Sequence, residues 1–139
     1  MTILDTNVVS EVMLPVPSPA VLSWLSAQSS EALYATTITV AEILYGIELL
    51  PQGKRHNVML AGAERMFNKV LTGRILGFEE EAAHAFARIA AGRRRQGRPM
   101  AEFDAQIAAI AYLHGAALAT RNTSDFEGCG VKLVNPWVD

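Results

Sequence analysis

The sequence predicts an α/β fold, with a mostly parallel central sheet of about five strands flanked by helices. Two observations predict it. Short apolar runs alternate along the chain with segments of helical periodicity, and strands joined through helices form parallel sheets with right-handed crossovers. The opening run Ile3-Leu4 also stops abruptly at Asp5-Thr6-Asn7, as a buried strand does where a helix begins. A chain of 139 residues, 50% hydrophobic and 19% charged, has the size and composition of one globular domain over 1–139.

Each element follows from its residues. The first strand ends at Asp5, and a helix over 8–13 begins after a cap supplied by Thr6 or Asn7. Three prolines, Pro15, Pro17 and Pro19, hold the next stretch out of helix. Val21, Leu22, Trp24 and Leu25 make 20–27 a short amphipathic helix, and 33–36 suits a second strand. A helix over 37–50 is stopped by Pro51 and Gly53. The polar residues Lys54, Arg55 and His56 form a turn that leads into a helix over 58–71, and 74–77 is short enough for a third strand. The segment 79–94 carries acids in its first turn and arginines in its last, as the helix dipole prefers. Gly97 and Pro99 break it, a helix over 101–114 ends at Gly115, and strands follow over 116–119 and 131–134.

Composition removes several function classes. A formal net charge of −2 gives no overall basic field, so contact with a polyanion has to come from a local patch. The single cysteine, Cys129, allows no internal disulfide, fits a reducing cytoplasm and reads as structural. Asp5 interrupts the amino-terminal apolar run too early for a signal peptide, and the apolar stretch 107–113 is too short to span a membrane. Gly53-Lys54 lacks the rest of a phosphate-binding loop, and His56, His84 and His114 have no metal-ligand spacing.

What remains is a set of acids. In an alternating strand–helix unit, the ends of strands and the starts of helices gather at one edge of the sheet, where such folds place ligands. Asp5 follows strand one, Glu42 lies near the start of the helix after strand two, and Asp104 opens the helix before strand four. Asn122 and Asp125 follow strand four. Asp5 alone reads equally well as a turn or cap residue. Glu42 completes a capping box in Thr39-Val40-Ala41-Glu42, yet shares a helical face with Tyr45, Gly46 and Leu49. Asp104 heads a face of Ile107, Ala108, Ala111 and Gly115 that should pack inward. A carboxylate there needs a partner, either Arg98 or Arg121 or a bound cation. Oxygen donors without clustered Cys or His select Mg²⁺ or Mn²⁺.

The motifs Ile3-Leu4-Asp5-Thr6-Asn7, Thr39-Val40-Ala41-Glu42, Asp104-Ala105-Gln106-Ile107 and Thr120-Arg121-Asn122-Thr123-Ser124-Asp125-Phe126, with the closing Asn135-Pro136-Trp137, resemble the PIN-domain ribonucleases. The resemblance is nearest to the toxins of bacterial VapBC and FitAB toxin–antitoxin modules. It implies a PIN-like fold, usually dimeric, in which Asp5, Glu42 and Asp104 bind Mg²⁺ or Mn²⁺. The fourth acid is either replaced by Asn122 or supplied by Asp125. Thr6, Asn7, Thr120 and Asn122 take orienting positions.

The expected activity is therefore metal-dependent endoribonuclease cleavage by a toxin of this type, catalysed by Asp5, Glu42, Asp104 and Asp125. Arg93, Arg94, Arg95 and Arg98, with Lys69 and Arg74, are candidate RNA contacts, although the arginine run reads more readily as a solvated helix end. The expected partners are RNA, a second copy of the chain and a VapB/FitA-type antitoxin. An antitoxin arginine would reach Asp5, Glu42 or Asp104, with the rest of that segment lying on Val9, Val12, Met13, Val21 and Trp24. The alternative is a catalytically weak binding module whose acids only dock a partner's arginines. A phosphotransfer domain fits less well, because Asn7 stands where a second acid is needed and Lys132 falls within a strand.

Overall fold

The computed structural model describes residues 1–139 and contains five parallel strands in the order β3-β2-β1-β4-β5. The strands are β1 (Thr2–Leu4), β2 (Leu33–Thr36), β3 (Ile75–Leu76), β4 (Ala117–Ala119) and β5 (Leu133–Val134). The helices are α1 (Thr6–Val12), α2 (Pro19–Ser26), α3 (Thr37–Glu48), α4 (Lys54–Arg65), α5 (Glu80–Arg95) and α6 (Glu102–Leu113). β1 is the central strand. It pairs Ile3 with Tyr34 of β2 on one side and with Leu118 of β4 on the other.

Consecutive strand residues point to opposite faces of the sheet, and the core divides accordingly. Leu4, Ala35 and Ala119 pack with Val8, Val9, Val21, Ile43, Ile47 and Phe67 beneath α1–α4. Ile3 and Leu118 pack with Ile107, Ala108, Ile110 and Ala111 of α6, with Ala82 of α5 and with Phe126. Two helical layers therefore enclose the sheet. No helix is long and apolar enough to cross a membrane.

Four details differ from the sequence reading. α1 begins at Thr6 with Asp5 itself as its cap, because strand and helix abut with no intervening loop. α4 begins at Lys54, so Lys54, Arg55 and His56 are helical; His56 is buried and Nδ1 lies 3.4 Å from Asn57 Oδ1. It continues into a wider turn, Met66–Val70, closed by Leu71 N–H donating to Met66 O. The face shared by Glu42, Tyr45 and Leu49 is open: Tyr45 and Leu49 are 68% and 67% exposed. Val9 and Val21 are fully buried in the core and unavailable to a partner.

Candidate active site

The carboxyl edge of the sheet is built by backbone junctions that leave no slack. β1 continues past Leu4 by one more ladder bond, Asp5 N–H to Ala119 O at 2.9 Å. The chain then turns directly into α1. Asp5 Oδ1 accepts from Thr6 N–H at 2.8 Å, and Oδ2 accepts from Thr120 Oγ1–H at 2.8 Å and from Asn7 Nδ2–H at 3.3 Å. Thr120, buried at the end of β4, also accepts from Asn7 Nδ2–H at 3.3 Å and from Asn122 N–H at 3.1 Å. The carboxylate at the end of the central strand is thus clamped from both neighbouring segments. Burial raises its pKa, its bonds from Thr120 and Thr6 pull it back, and the charges of Glu42 and Asp125 raise it further; the net direction is up.

Glu42 sits in the second turn of α3. The capping box does not form, because Thr36, not Thr39, caps this helix: Thr39 N–H donates to Thr36 Oγ1 at 3.2 Å. Glu42 Oε1 instead accepts from Thr6 Oγ1–H at 2.8 Å, and Thr6 Oγ1 also lies 3.0 Å from Thr39 Oγ1. The side chain is thereby tied to Thr6, the residue next to Asp5, beside the first turn of its own helix.

Asp104 occupies the third position of α6. Ile107, Ala108 and Ala111 on its face are fully buried, as the periodicity predicts, while Gly115 ends the helix at a positive φ of 61°. Its own side chain is only partly buried. Burial first, then the charges of Asp5, Asp125 and Glu42, push its pKa up to about 6. Neither Arg98 nor Arg121 pairs with it, since the protein's one ion pair joins Arg98 to Glu127 at 3.1 Å.

Asp5, Glu42 and Asp104 line one open cleft of about 480 Å³ with Thr6, Asn7 and Asn122. Asp125 does not line it. It is exposed on a one-turn helix, Thr123–Phe126, and reaches the other acids only through its charge. The donor set fits a hard divalent cation: the acids offer oxygen donors, and none of them forms an ion pair with a cationic side chain. No three of these carboxylates close into a ready-made ligand cage.

Three of the expected RNA contacts are engaged elsewhere, among them Arg98 in its ion pair with Glu127. The guanidinium of Arg93 is buried and donates to the carbonyls of Arg98, Asp125 and Glu127 at 2.8–3.0 Å. Arg74 donates to the carbonyls of Ser30, Leu33 and Val70, tying β2 to the turn before β3. Arg94, Arg95 and Lys69 are exposed but do not line the cleft. Cys129 is buried against Met100 Sδ at 3.4 Å, and burial pushes its thiol up, as befits a structural residue.

The PIN domain family matches residues 2–128 of the chain. The chain belongs to the PIN-domain family. It is 41% identical to the VapC ribonuclease Y4jK of Sinorhizobium fredii, over 99% of this chain and 98% of that protein. Toxin FitB of Neisseria gonorrhoeae is 40% identical over the full length of both. Among solved structures, FitAB bound to an IR36 DNA fragment superposes with a TM-score of 0.91 at 39% identity, covering 99% of this chain and 96% of that one. This PIN domain's cleft also includes residues the sequence reading did not place in it. Glu11 stands one helical turn beyond Asn7 and is held by Ser18 N–H at 2.8 Å. The sequence reading gives Arg121 as a possible partner of Asp104 and a member of the motif 120–126, and Trp137 as part of the closing motif; both line the cleft. The i, i+4 spacing from Asn7 would have found Glu11, but no local pattern announces Trp137.

Proposed function

We propose that this PIN-domain protein is a Mg²⁺- or Mn²⁺-dependent endoribonuclease, the toxin of a toxin–antitoxin pair. The observation that carries the reading is the meeting of Asp5, Glu42 and Asp104 from three separate segments in one cleft, none of them in an ion pair with a cation of the protein. The names of the relatives, a VapC ribonuclease and the toxin FitB, point the same way.

Asp5 and Asp104 would hold the metal, with Glu42 binding it directly or through water. Bound there, the ion supplies a water of lowered pKa and neutralises charge on the attacked phosphate. The chain's own work is orientation. Thr120 and the Thr6 N–H fix the two oxygens of Asp5, and the Thr6 hydroxyl aims Glu42. Asn7 ties Asp5 to Thr120 through a single amide. Asn122, anchored through its N–H to Thr120, lines the cleft and would orient substrate or water there.

An antitoxin segment would silence the enzyme by inserting an arginine among the carboxylates. The exposed Leu14, Val16, Tyr45 and Leu49 offer it apolar ground, in place of the buried Val9 and Val21. A homodimer in a reducing cytoplasm completes the proposal. The test is cleavage of RNA by the purified protein with Mg²⁺ or Mn²⁺, compared with Asp5→Asn and Asp104→Asn. Wild-type activity lost in EDTA and in both variants is expected. Full cleavage by a folded Asp104→Asn protein sinks the metal site.

A further inference from the structure

A strand of RNA entering this cleft meets Asp5, Glu11, Glu42 and Asp104, and among the eleven lining residues only one side chain is a permanent cation, Arg121. A polyanion drawn to four acids needs positive charge from the protein as well as from any metal. Arg121 is free to supply it. Arg93 and Arg74 are engaged with backbone carbonyls and Arg98 with Glu127, while the unpaired Arg55 lines the neighbouring pocket on the far side of Glu42 and not the cleft itself. Arg121 makes no ion pair and donates no side-chain hydrogen bond; its guanidinium lies over the ring of Trp137, 5.0 Å from the centroid.

The root of this side chain is fixed. Arg121 follows Thr120, whose hydroxyl bonds Asp5 at 2.8 Å. Its own N–H donates to Asn7 Oδ1 at 3.3 Å, and its carbonyl accepts from Asn135 Nδ2–H at 3.4 Å. Asn135 Oδ1 in turn accepts from Trp137 N–H at 2.9 Å, which sets the indole under the guanidinium. Hydrogen bonds thus tie the backbone of Arg121 to the sheet edge and to the segment that carries Trp137, and the exposed guanidinium stacks over the indole.

We infer that Arg121, seated on Trp137, is the phosphate-binding residue of the cleft, gripping a backbone phosphate of single-stranded RNA beside the one presented to Asp5, Glu42 and Asp104. The inference rests on the nuclease reading above. A guanidinium suits the task because its planar fork takes two oxygens of one phosphate, and it stays charged at any physiological pH. The indole stiffens it and adds a face on which a base can stack, an interaction that single strands allow.

The experiment measures binding of a short fluorescein-labelled single-stranded RNA of mixed sequence by anisotropy, with Mg²⁺, across a range of salt. It uses the Asp104→Asn protein, which keeps the cleft and stops turnover, with and without Arg121→Gln or Arg121→Lys. Arg121→Gln is expected to weaken binding about tenfold, the worth of one charge-assisted hydrogen-bonded contact. It should also make the slope of log K against log salt shallower by about 0.7, one phosphate contact on a single strand. Arg121→Lys should keep the slope and lose part of the affinity. In the otherwise wild-type enzyme, Arg121→Gln should raise KM more than it lowers kcat.

An unchanged affinity and slope for Arg121→Gln overturns the inference, whether read in the Asp104→Asn protein with Mg²⁺ or in the otherwise wild-type protein in EDTA. Weakened antitoxin binding with unchanged RNA binding overturns it as well, and assigns Arg121 to the partner. Failure of the wild-type protein to cleave any RNA strikes the nuclease reading instead, and the anisotropy result stands apart from it.

Discussion

Replacing Asp104 with Asn should stabilise the metal-free protein at neutral pH and leave it unaltered in acid. In the fold the carboxyl is pushed from 3.8 to about 6, by burial and by three neighbouring acids. A shift of that size corresponds to about 3 kcal/mol of penalty for the ionised form. The group is only half-buried, so solvent screening cuts this by roughly half. Ionised at the third position of α6, Asp104 also gains about 0.3–1 kcal/mol from the helix dipole, which Asn forgoes. The side chain makes no hydrogen bond or ion pair that Asn would lose. The net expectation is a gain of about 0.5–1 kcal/mol for the variant at pH 7.5.

The sign follows from proton binding. A folded pKa above the unfolded one means stability that is complete below pH 4 and is lost as pH rises through about 6. Asn cannot lose it, so wild type and variant should converge at pH 4 and separate above pH 6. Urea unfolding in EDTA at both pH values, followed by tryptophan fluorescence, measures this directly. An Asp104→Asn protein that is less stable at pH 7.5, or equally shifted at both pH values, would refute the account of a cleft strained by its own charges. Added Mn²⁺ should then raise the wild-type midpoint more than the variant's, since a ligand of the folded state stabilises by mass action.

Thr120→Val removes the hydroxyl that bonds Asp5 and should destabilise by about 1–3 kcal/mol. Because that bond holds the Asp5 pKa down, the loss should be greater at neutral than at acid pH, read by the same urea titrations. Asn122 lines the cleft and Asp125 does not, so Asn122→Ala should reduce kcat more than Asp125→Asn; the reverse ranking, in steady-state cleavage assays, would make Asp125 the fourth acid. Arg93→Met leaves the carbonyls of Arg98, Asp125 and Glu127 without their donor and should cost about 3 kcal/mol, while the RNA affinity of the folded protein stays unchanged. If an antitoxin arginine occupies the carboxylates, calorimetric titration of Mn²⁺ into the toxin–antitoxin complex should show much weaker binding than to free toxin; equal affinities would place inhibition elsewhere.

Periodicity and strand-end chemistry carried the sequence reading to the sheet and to three acids, because both are local signals. Ile3-Leu4 before Asp5, and the buried face behind Asp104, can be seen within a dozen residues. What escaped depends on contacts between distant segments. Arg93 reads as the solvated end of α5, but its guanidinium is buried by carbonyls some thirty residues further on. The start of α4 was hidden because Lys54 and Arg55 oppose the dipole and the cap, Gly53, offers no side chain. Helical spacing likewise shows that Glu42, Tyr45 and Leu49 share a face, but not whether anything covers it.

The arrangement of the acids sets stability of the empty cleft against its readiness to take a cation. Parallel crossovers bring the ends of β1 and β4 and the starts of α1, α3 and α6 to one edge, so their side chains meet without any loop to separate them. Asp5 is held there by three hydrogen bonds and Glu42 by one, whereas Asp104 has none. Of the three, Asp104 alone is neither clamped nor paired, and its pKa of about 6 places its charge within reach of a modest pH change. A cation entering the cleft therefore meets two carboxylates already aimed and one whose ionisation it must complete. Metal affinity should consequently fall as pH drops from 7.5 toward 5.5 in the wild-type protein, by up to about tenfold per unit once Asp104 is protonated. In Asp104→Asn the residual affinity should vary less over the same interval. Isothermal titration of Mn²⁺ at the two pH values separates these outcomes, and an equal pH dependence in both proteins would assign the proton to another group.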